Sequence, residues 1–409
     1  MTKPGIHLCL VSDQLIANYL PAHMLKAERA VLLCTEEMHD SPRPHWLAEA
    51  LRKDGIAVDL WPKPCPTGPL PFIEEYARQV AREIQGQWPE HQLVMNLTGG
   101  TKLMAIGFDR GLLSHGRASV YLDTQHNRLE QIGDGHVRQI PLEGHTLEAE
   151  TYFLLQGLQI RAGSKGANSF SEAWRLAATA RTVLTCFLGK NHTRLRSAIK
   201  RLAMFPGQHP EWTPLENHRV QNKFATLGLH TGVLEQTGQS FRCSVAGDKY
   251  LNGGWVEEWA WLALEQARPD WAGSGVHLHY MDMTPGSLRP HGTLTNEFDG
   301  LAVHGGRALF VECKQVRNMA GVPRSKPDKL SGAALNDIIL KGNRVTGPFG
   351  ARLLVSTDLP SADALLRATA NGLVWLYGEH LKDLPCYVTT WVTKGKLPPS
   401  PALAMPPAP

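Results

Sequence analysis

The sequence predicts a mixed α/β protein, with an N-terminal, mostly parallel sheet and a C-terminal α/β domain joined by a helical connector. Three observations carry this. Residues 1–145 alternate short apolar runs with amphipathic stretches, the βαβ rhythm of a parallel sheet. Residues 146–250 turn to helices rich in Ala, Leu, Arg and Lys. Beyond Asn252, helix and strand patterns alternate again.

In the first part the expected strands are Ile6–Val11, Ala30–Cys34, Ile56–Trp61, Leu93–Asn96 and Ser119–Leu122. Helices are expected over Pro44–Lys53, Phe72–Gln85 and Thr101–Ser114. Leu129–Ile132 and Val137–Ile140, around Gly133-Asp134-Gly135-His136, read as a closing hairpin. In the connector, Glu172–Phe187 and Thr193–Met204 are helical. Pro206, Pro210 and Pro214 break the chain, Arg219–Thr231 resumes a helix, and Glu235–Val245 suits a small β-wing of winged-helix type. The third part spans 251–397. Residues 398–409 are rich in Pro and Ala and are expected to be disordered.

Composition narrows the function classes. Of the 409 residues, 43% are hydrophobic and 20% charged, as in ordinary soluble domains. A net charge of +4 permits phosphate contact without demanding it. The seven cysteines are scattered and form no C-x-x-C pair, which favours buried thiols in a reducing cytosol over a zinc or disulfide framework. No signal peptide or membrane-length apolar run is present, so a cytoplasmic protein with no membrane association is expected.

The chemistry concentrates in Thr295-Asn-Glu-Phe-Asp299-Gly-Leu-Ala-Val-His-Gly305-Gly306-Arg-Ala-Leu-Phe-Val-Glu312-Cys313-Lys314. Gly305-Gly306 suits the positive-φ positions of a two-residue hairpin turn. With that turn Asp299 faces Glu312, and Lys314 joins the same face two residues on. Two facing carboxylates in an apolar sheet raise each other's pKa unless a cation neutralises them. Mg²⁺ or Mn²⁺ held by Asp299, Glu312 and the Cys313 carbonyl resolves that conflict. Lys314 then positions or activates water and stabilises charge on a phosphate. The competing reading is a salt-bridged strand in which Lys314 only neutralises Glu312.

Asp299…Glu312-Cys313-Lys314 resembles the PD-(D/E)xK motif of restriction-endonuclease-like enzymes. That fold usually adds an acidic residue from a preceding helix. The resemblance selects Glu257 in Gly253-Gly254-Trp255-Val256-Glu257-Glu258, with Glu258 in reserve. Read alone, either glutamate is an ordinary first-turn acid favoured by the helix dipole. Lys341 and Arg344 either contact phosphate or form a solvated basic face. Arg317, Arg324, Lys326 and Lys329 either clamp a nucleic-acid backbone or belong to a plain loop.

Asn96-Leu-Thr98-Gly99-Gly100-Thr101-Lys102 follows a strand and opens a helix, where backbone N–H groups and the helix N-terminus favour an anion. It is neither a Walker A loop nor a dinucleotide fingerprint. Tight-turn chemistry explains Thr-Gly-Gly-Thr equally well. The balance shifts with Ser12-Asp13-Gln14 and Asn18, which follow the first strand and share the same sheet edge.

Together, Val11-Ser-Asp-Gln-Leu-Ile-Ala-Asn18, the N-L-T-G-G-T-K segment and Gly253-Gly-Trp-Val-Glu257 resemble the CARF-domain nucleases of type III CRISPR systems. In these, a CRISPR-associated Rossmann fold is joined to a PD-(D/E)xK domain. The resemblance implies a homodimer that binds a cyclic oligoadenylate, usually the tetra-adenylate, across its two-fold axis. Binding switches on Mn²⁺- or Mg²⁺-dependent cutting of single-stranded DNA or RNA, with nicking of supercoiled plasmid DNA. Carried over by position, the ligand contacts are Ser12, Asn96, Thr98, Gly100, Thr101 and Lys102, with Asp13, Asn18 and Gly99 beside them. Ala17-Asn18 stands where family members often carry Pro-Asn. A cyclic-oligoadenylate sensor that regulates transcription without cutting is the alternative. Slow cleavage of the activator by the CARF domain itself is compatible with either.

Overall fold

A computed structural model describes residues 5–113, 118–124, 126–133, 136–142, 145, 147–161, 171–203, 210–315, 330–357 and 359–402. The basic loop expected over 317–329 and the tail beyond 402 lie outside the described residues. The chain forms two compact units. One holds 1–162 with 277–296 and 303–306; the other holds 163–276, 297–302 and 307–409.

In the first unit, β1 (Gly5–Leu10), β2 (Arg29–Leu33), β3 (Ala57–Leu60), β4 (Gln92–Asn96) and β5 (Ala118–Asp123) are parallel. The hairpin β6 (Arg128–Gly133) and β7 (His136–Pro141) adds two antiparallel strands, giving the order β3-β2-β1-β4-β5-β6-β7. Continuous burial of Ile6 to Leu10 marks a strand covered on both faces, as a doubly wound sheet requires. The helices are α1 (Ile16–Met24), α2 (Glu36–His39), α3 (Arg43–Lys53), α4 (Leu70–Gln87), α5 (Lys102–Gly111) and α6 (Ala149–Leu155). Ile73, Ala77, Val80, Ala81 and Ile84 recur at helical spacing and bury one stripe of α4. β8 (Leu158–Ile160) pairs antiparallel with Leu278–Tyr280.

The second unit begins with α7 (Glu172–Ala203), α8 (Arg219–His230) and the two-stranded sheet β9 (Leu234–Thr237) and β10 (Ser240–Cys243). After α9 (Val245–Lys249) comes a π-helical turn over Tyr250–Gly254, with Gly253 at φ 119°, and then α10 (Trp255–Ala267). β11 (Trp271–Met281), β12 (Pro290–His304) and β13 (Arg307–Lys314) lead to α11 (Gly332–Thr346), β14 (Ala351–Ser356), α12 (Ala362–Ala370), β15 (Leu373–Tyr377) and α13 (Leu384–Lys394). The second sheet has the order β15-β14-β13-β12-β11-β8, with β13, β14 and β15 parallel. The core gathers Leu184 and Leu188 of α7, Trp255, Trp259 and Leu264 of α10, Val311 of β13 and Trp391 of α13.

Three differences from the expectations have physical causes. The two helices expected across 172–204 are one helix, α7, because Leu184, Leu188, Leu195 and Ile199 keep one buried stripe through Gly189. A helical glycine costs only about 1 kcal/mol, less than that burial supplies. The segment 146–250 is not separate: α6 and β8 join the first unit, and α7 shares the core of the second. The Pro-rich segment from Pro398, expected to be disordered, is hydrogen-bonded as far as Pro401. Ser400 Oγ accepts from Trp375 N at 2.8 Å, and the carbonyls of Pro399 and Pro401 accept from Tyr387 and Tyr377 at 2.7 and 2.9 Å. Among the described residues no helix is long and apolar enough to cross a membrane.

Candidate functional site

Two sites emerge, one in each unit. In the first, β1 lies between β2 and β4, so strand order reverses at the β1/β4 boundary. The carboxyl ends of such strands border a ligand crevice. Cys9 pairs with Asn96, which brings the loop after Leu10 level with the Asn96–Thr101 loop.

Each expected residue has a definite place there. Ser12 is half-buried. Asp13 is exposed, with Arg43 Nε 3.0 Å from its carboxylate. Asn18 and Asn96 are fully buried and engaged inward. Asn18 Nδ2 donates to Leu10 O at 2.9 Å, and Asn96 Nδ2 donates to Ala17 O at 2.8 Å and Asn18 Oδ1 at 3.2 Å. Asn96 Oδ1 accepts from Thr98 N at 2.9 Å. The resemblance put Asn96 among the ligand contacts with Asn18 beside it, and their amides also tie the two loops together. Burial without a partner is costly for an amide, so each is tied to a neighbour.

Gly99 cannot carry a side chain. A Cβ there would sit 2.3 Å from Leu10 O and 2.7 Å from Asn18 Oδ1. Gly100 has φ +70°, which L residues rarely adopt. Thr98 Oγ1 accepts from Leu122 N at 2.8 Å, and Thr101 Oγ1 caps α5 by accepting from Met104 N at 3.2 Å. Thr101 and Lys102 are exposed at the N-terminus of this helix, where partial positive charge favours an anion.

The second site is built on the β12–β13 hairpin. Gly305 and Gly306 have φ of 55° and 71°, and strand structure resumes at Arg307, giving the two-residue turn the sequence predicted. Asp299 Oδ2 accepts from the Cys313 backbone N–H at 2.7 Å. Its carboxyl pKa is pushed up to about 6, first by burial and then by the Glu312 charge, with Glu257 adding to the effect. The Cys313 N–H and Lys314 pull the other way.

Glu312 is 5% exposed and sits between two lysines. Its Oε1 accepts from Lys314 Nζ at 2.6 Å and its Oε2 from Lys341 Nζ at 2.9 Å. Burial disfavours the Lys314 ammonium, yet the Glu312 charge and hydrogen bond outweigh it and hold its pKa above the usual value. The Lys314–Glu312 ion pair of the competing reading is therefore present. It does not by itself separate the two readings, because the carboxylate pair lies beside it. Cys313 has a buried thiol whose pKa is raised by desolvation and neighbouring carboxylates.

The two candidate helix acids differ sharply. Glu258 is 9% exposed and held by Arg181, Nε to Oε1 at 2.9 Å and Nη2 to Oε2 at 2.5 Å. Glu257 is exposed, and its charge reaches Asp299. Arg344 stands on α11 with Lys341.

Among the described residues, no group of three or more His, Cys, Asp or Glu side chains is arranged to hold a metal. The donors still fit a hard divalent ion. Burial first and then the Glu312 charge lift the Asp299 pKa, so a cation between these two carboxylates is favoured, and Mg²⁺ commonly takes one or two carboxylates and completes its shell with water.

Sequence reasoning missed the Arg181–Glu258 pair and the link from Lys341 to Glu312. Both join residues far apart in the chain, and no local spacing announces them.

Residues 6–139 match the family model described as the Card1 CARF domain. The chain thus has a Rossmann-like CARF domain at its N-terminal end, followed by a further α/β domain. Among solved structures it is similar to Can2 from Sulfobacillus thermosulfidooxidans in complex with cyclic tetra-adenylate, at 18% identity and TM-score 0.69, covering 95% of this chain and 97% of that one. It is also similar to protein VC1899 from Vibrio cholerae, at 15% identity and TM-score 0.73, covering 95% and 98%. At these identities the likeness speaks to fold. A search of curated proteins finds no match.

Proposed function

We propose that this protein is a cyclic-oligoadenylate-activated, divalent-metal-dependent endonuclease of type III CRISPR defence. Its substrates are single-stranded DNA, RNA or both, with nicking of supercoiled DNA. The carrying observation is the set Asp299, Glu312 and Lys314 on one hairpin, with Glu312 buried and the other two half-buried, in a chain whose other unit is a CARF domain. The Can2 structure, solved with cyclic tetra-adenylate, supports that ligand as the activator here.

Asp299 and Glu312 would hold Mn²⁺ or Mg²⁺ with the Cys313 carbonyl, and Glu257 would complete the acidic set. The bound ion supplies Lewis acidity and lowers the pKa of water. Lys314 orients the attacking water and stabilises charge developing on the phosphodiester. In the CARF unit, the Gly99-Gly100 backbone, Thr98, Thr101, Lys102 and Ser12 contact the ligand, while Asn18 and Asn96 keep the loops in register. A two-fold symmetric ring matches an isologous homodimer, each protomer offering the same edge. The activator works by binding the competent arrangement more tightly than the idle one.

The test is cleavage of single-stranded DNA, single-stranded RNA and supercoiled plasmid with Mn²⁺, with and without cyclic tetra- and hexa-adenylate. Wild type is compared with Glu312→Ala. Activator-dependent cutting lost in Glu312→Ala supports the reading. Tight nucleic-acid binding with no cutting under any activator points instead to a CARF regulator.

A further inference from the structure

We infer that Lys341 is a positioning residue that makes divalent-metal binding and phosphodiester binding depend on each other, by acting as a resident counter-cation on Glu312. The inference rests on the metal-site reading above and goes beyond it.

Glu312 carries one ammonium on each oxygen, Lys314 at 2.6 Å and Lys341 at 2.9 Å. Lys314 belongs to the hairpin motif itself. Lys341 comes from α11 and is held by a separate device. Its Nζ lies 4.6 Å from the ring centroid of Phe298 and 5.8 Å from that of Phe310. These two rings pack edge to face, with centroids 5.8 Å apart, and both are buried. A cation over aromatic faces is attracted by the ring quadrupoles, more strongly where water is scarce. The Lys341 ammonium is therefore fixed from two sides, by the rings and by the carboxylate.

The charges around Glu312 decide what this does. With Asp299, Glu312 and Glu257 ionised, the acids total three negative charges, and the two lysines return two. A divalent ion entering this site meets one net negative charge and leaves it positive. One phosphodiester brings the missing negative charge. Metal alone is then held weakly, and metal with nucleic acid is held well. Without Lys341 the acids and a divalent ion come closer to balance by themselves, so metal alone binds tightly. Coulomb interactions over such distances, in a partly buried site, are strong enough to change affinity by about tenfold or more.

The test is Mn²⁺ binding to the full chain, followed by the paramagnetic resonance of free Mn²⁺. It is run with and without a single-stranded DNA whose linkages resist hydrolysis. Wild type, Lys341→Met, Lys341→Gln, Lys341→Arg and Glu312→Ala are compared. Met keeps an apolar stem against the Phe rings, and Gln serves if Met perturbs the fold. In wild type, DNA should tighten Mn²⁺ binding strongly. In Lys341→Met or Lys341→Gln, Mn²⁺ alone should bind about tenfold tighter or more, and the enhancement by DNA should shrink. Lys341→Arg should behave as wild type, which a merely structural role for the stem does not predict. Unchanged or weaker Mn²⁺ affinity in both neutral variants, with binding still lost in Glu312→Ala, overturns the role of Lys341 alone. Mn²⁺ binding that survives Glu312→Ala overturns the metal-site reading and this inference with it.

Discussion

Arg181 holds Glu258 through the Nε–Nη2 edge of its guanidinium, at 2.9 and 2.5 Å, while the adjacent Glu257 stands exposed with its charge felt at Asp299. Neighbours on one helical turn thus divide two jobs. Tyr250 and Thr185, joined at 2.7 Å, pack beside the arginine and make its surroundings part of the core.

Substitution of these two glutamates should separate stability from activity. Glu258→Gln leaves a half-buried arginine without its charged partner and should cost about 2–3 kcal/mol, read as a drop in the midpoint of denaturant unfolding. Glu257→Gln should leave that midpoint within about 0.5 kcal/mol of wild type and lower Mn²⁺-dependent cleavage by at least about tenfold. A stable Glu258→Gln variant, or an unaltered cleavage rate in Glu257→Gln, would reverse the assignment.

Asp299 predicts a pH dependence. Its native pKa, about 6, lies above the usual carboxylate value, so the folded state binds more protons than the unfolded state between the two. Stability then falls as pH rises through that interval, and the cost is fully present above the native value. In metal-free protein, Asp299→Asn should raise stability near pH 8 by about 2 kcal/mol and make no difference near pH 4. Thermal melts at the two pH values, with chelator present, measure this. Added Mn²⁺ should stabilise wild type at pH 8 and leave Asp299→Asn unchanged.

At the CARF crevice, close packing and ligand contact should also come apart. Gly99→Ala forces a methyl group to within 2.3 Å of the Leu10 carbonyl and should destabilise the fold by about 1–3 kcal/mol while weakening cyclic tetra-adenylate. Lys102→Ala removes an exposed charge and should weaken the ligand with almost no change in melting temperature. Calorimetric titration beside a thermal melt distinguishes them.

Asn96 offers a sharper contrast. Asn96→Leu abandons the Ala17 carbonyl and the Thr98 N–H, both tied by its amide. A loss of about 2–4 kcal/mol is expected, read by denaturant unfolding. An asparagine that only touched ligand would leave the free protein unaffected.

Much of this architecture was legible in the sequence because its signals are local. The buried runs of β1 and β4, the apolar runs of β12 and β13 and the Gly305-Gly306 turn each lie within a few residues, so apolar patterning and turn chemistry suffice. The same holds for Asp299, Glu312 and Lys314. What escaped depends on distance in the chain. Glu258 reads as a first-turn acid until α7 brings Arg181 to it, 77 residues away. Lys341 reads as one charge on a basic face until α11 sets it on Glu312. Asn18 and Asn96 look like loop residues with polar tips, and only burial shows that their amides serve each other. The single long α7 was missed because glycine weighs locally against a helix, whereas packing along its whole length decides.

The hydrogen bond from Trp375 N to Ser400 has a consequence for handling the protein. β15 ends the second sheet, and an open strand edge invites the same strand of another copy to add to it. The segment through Pro399 and Pro401 lies along that edge and offers no proline N–H for such pairing. It acts as a selvedge that keeps the sheet from growing. Chains cut back before Pro399 are expected to aggregate on concentration even though every residue of the two candidate sites is intact.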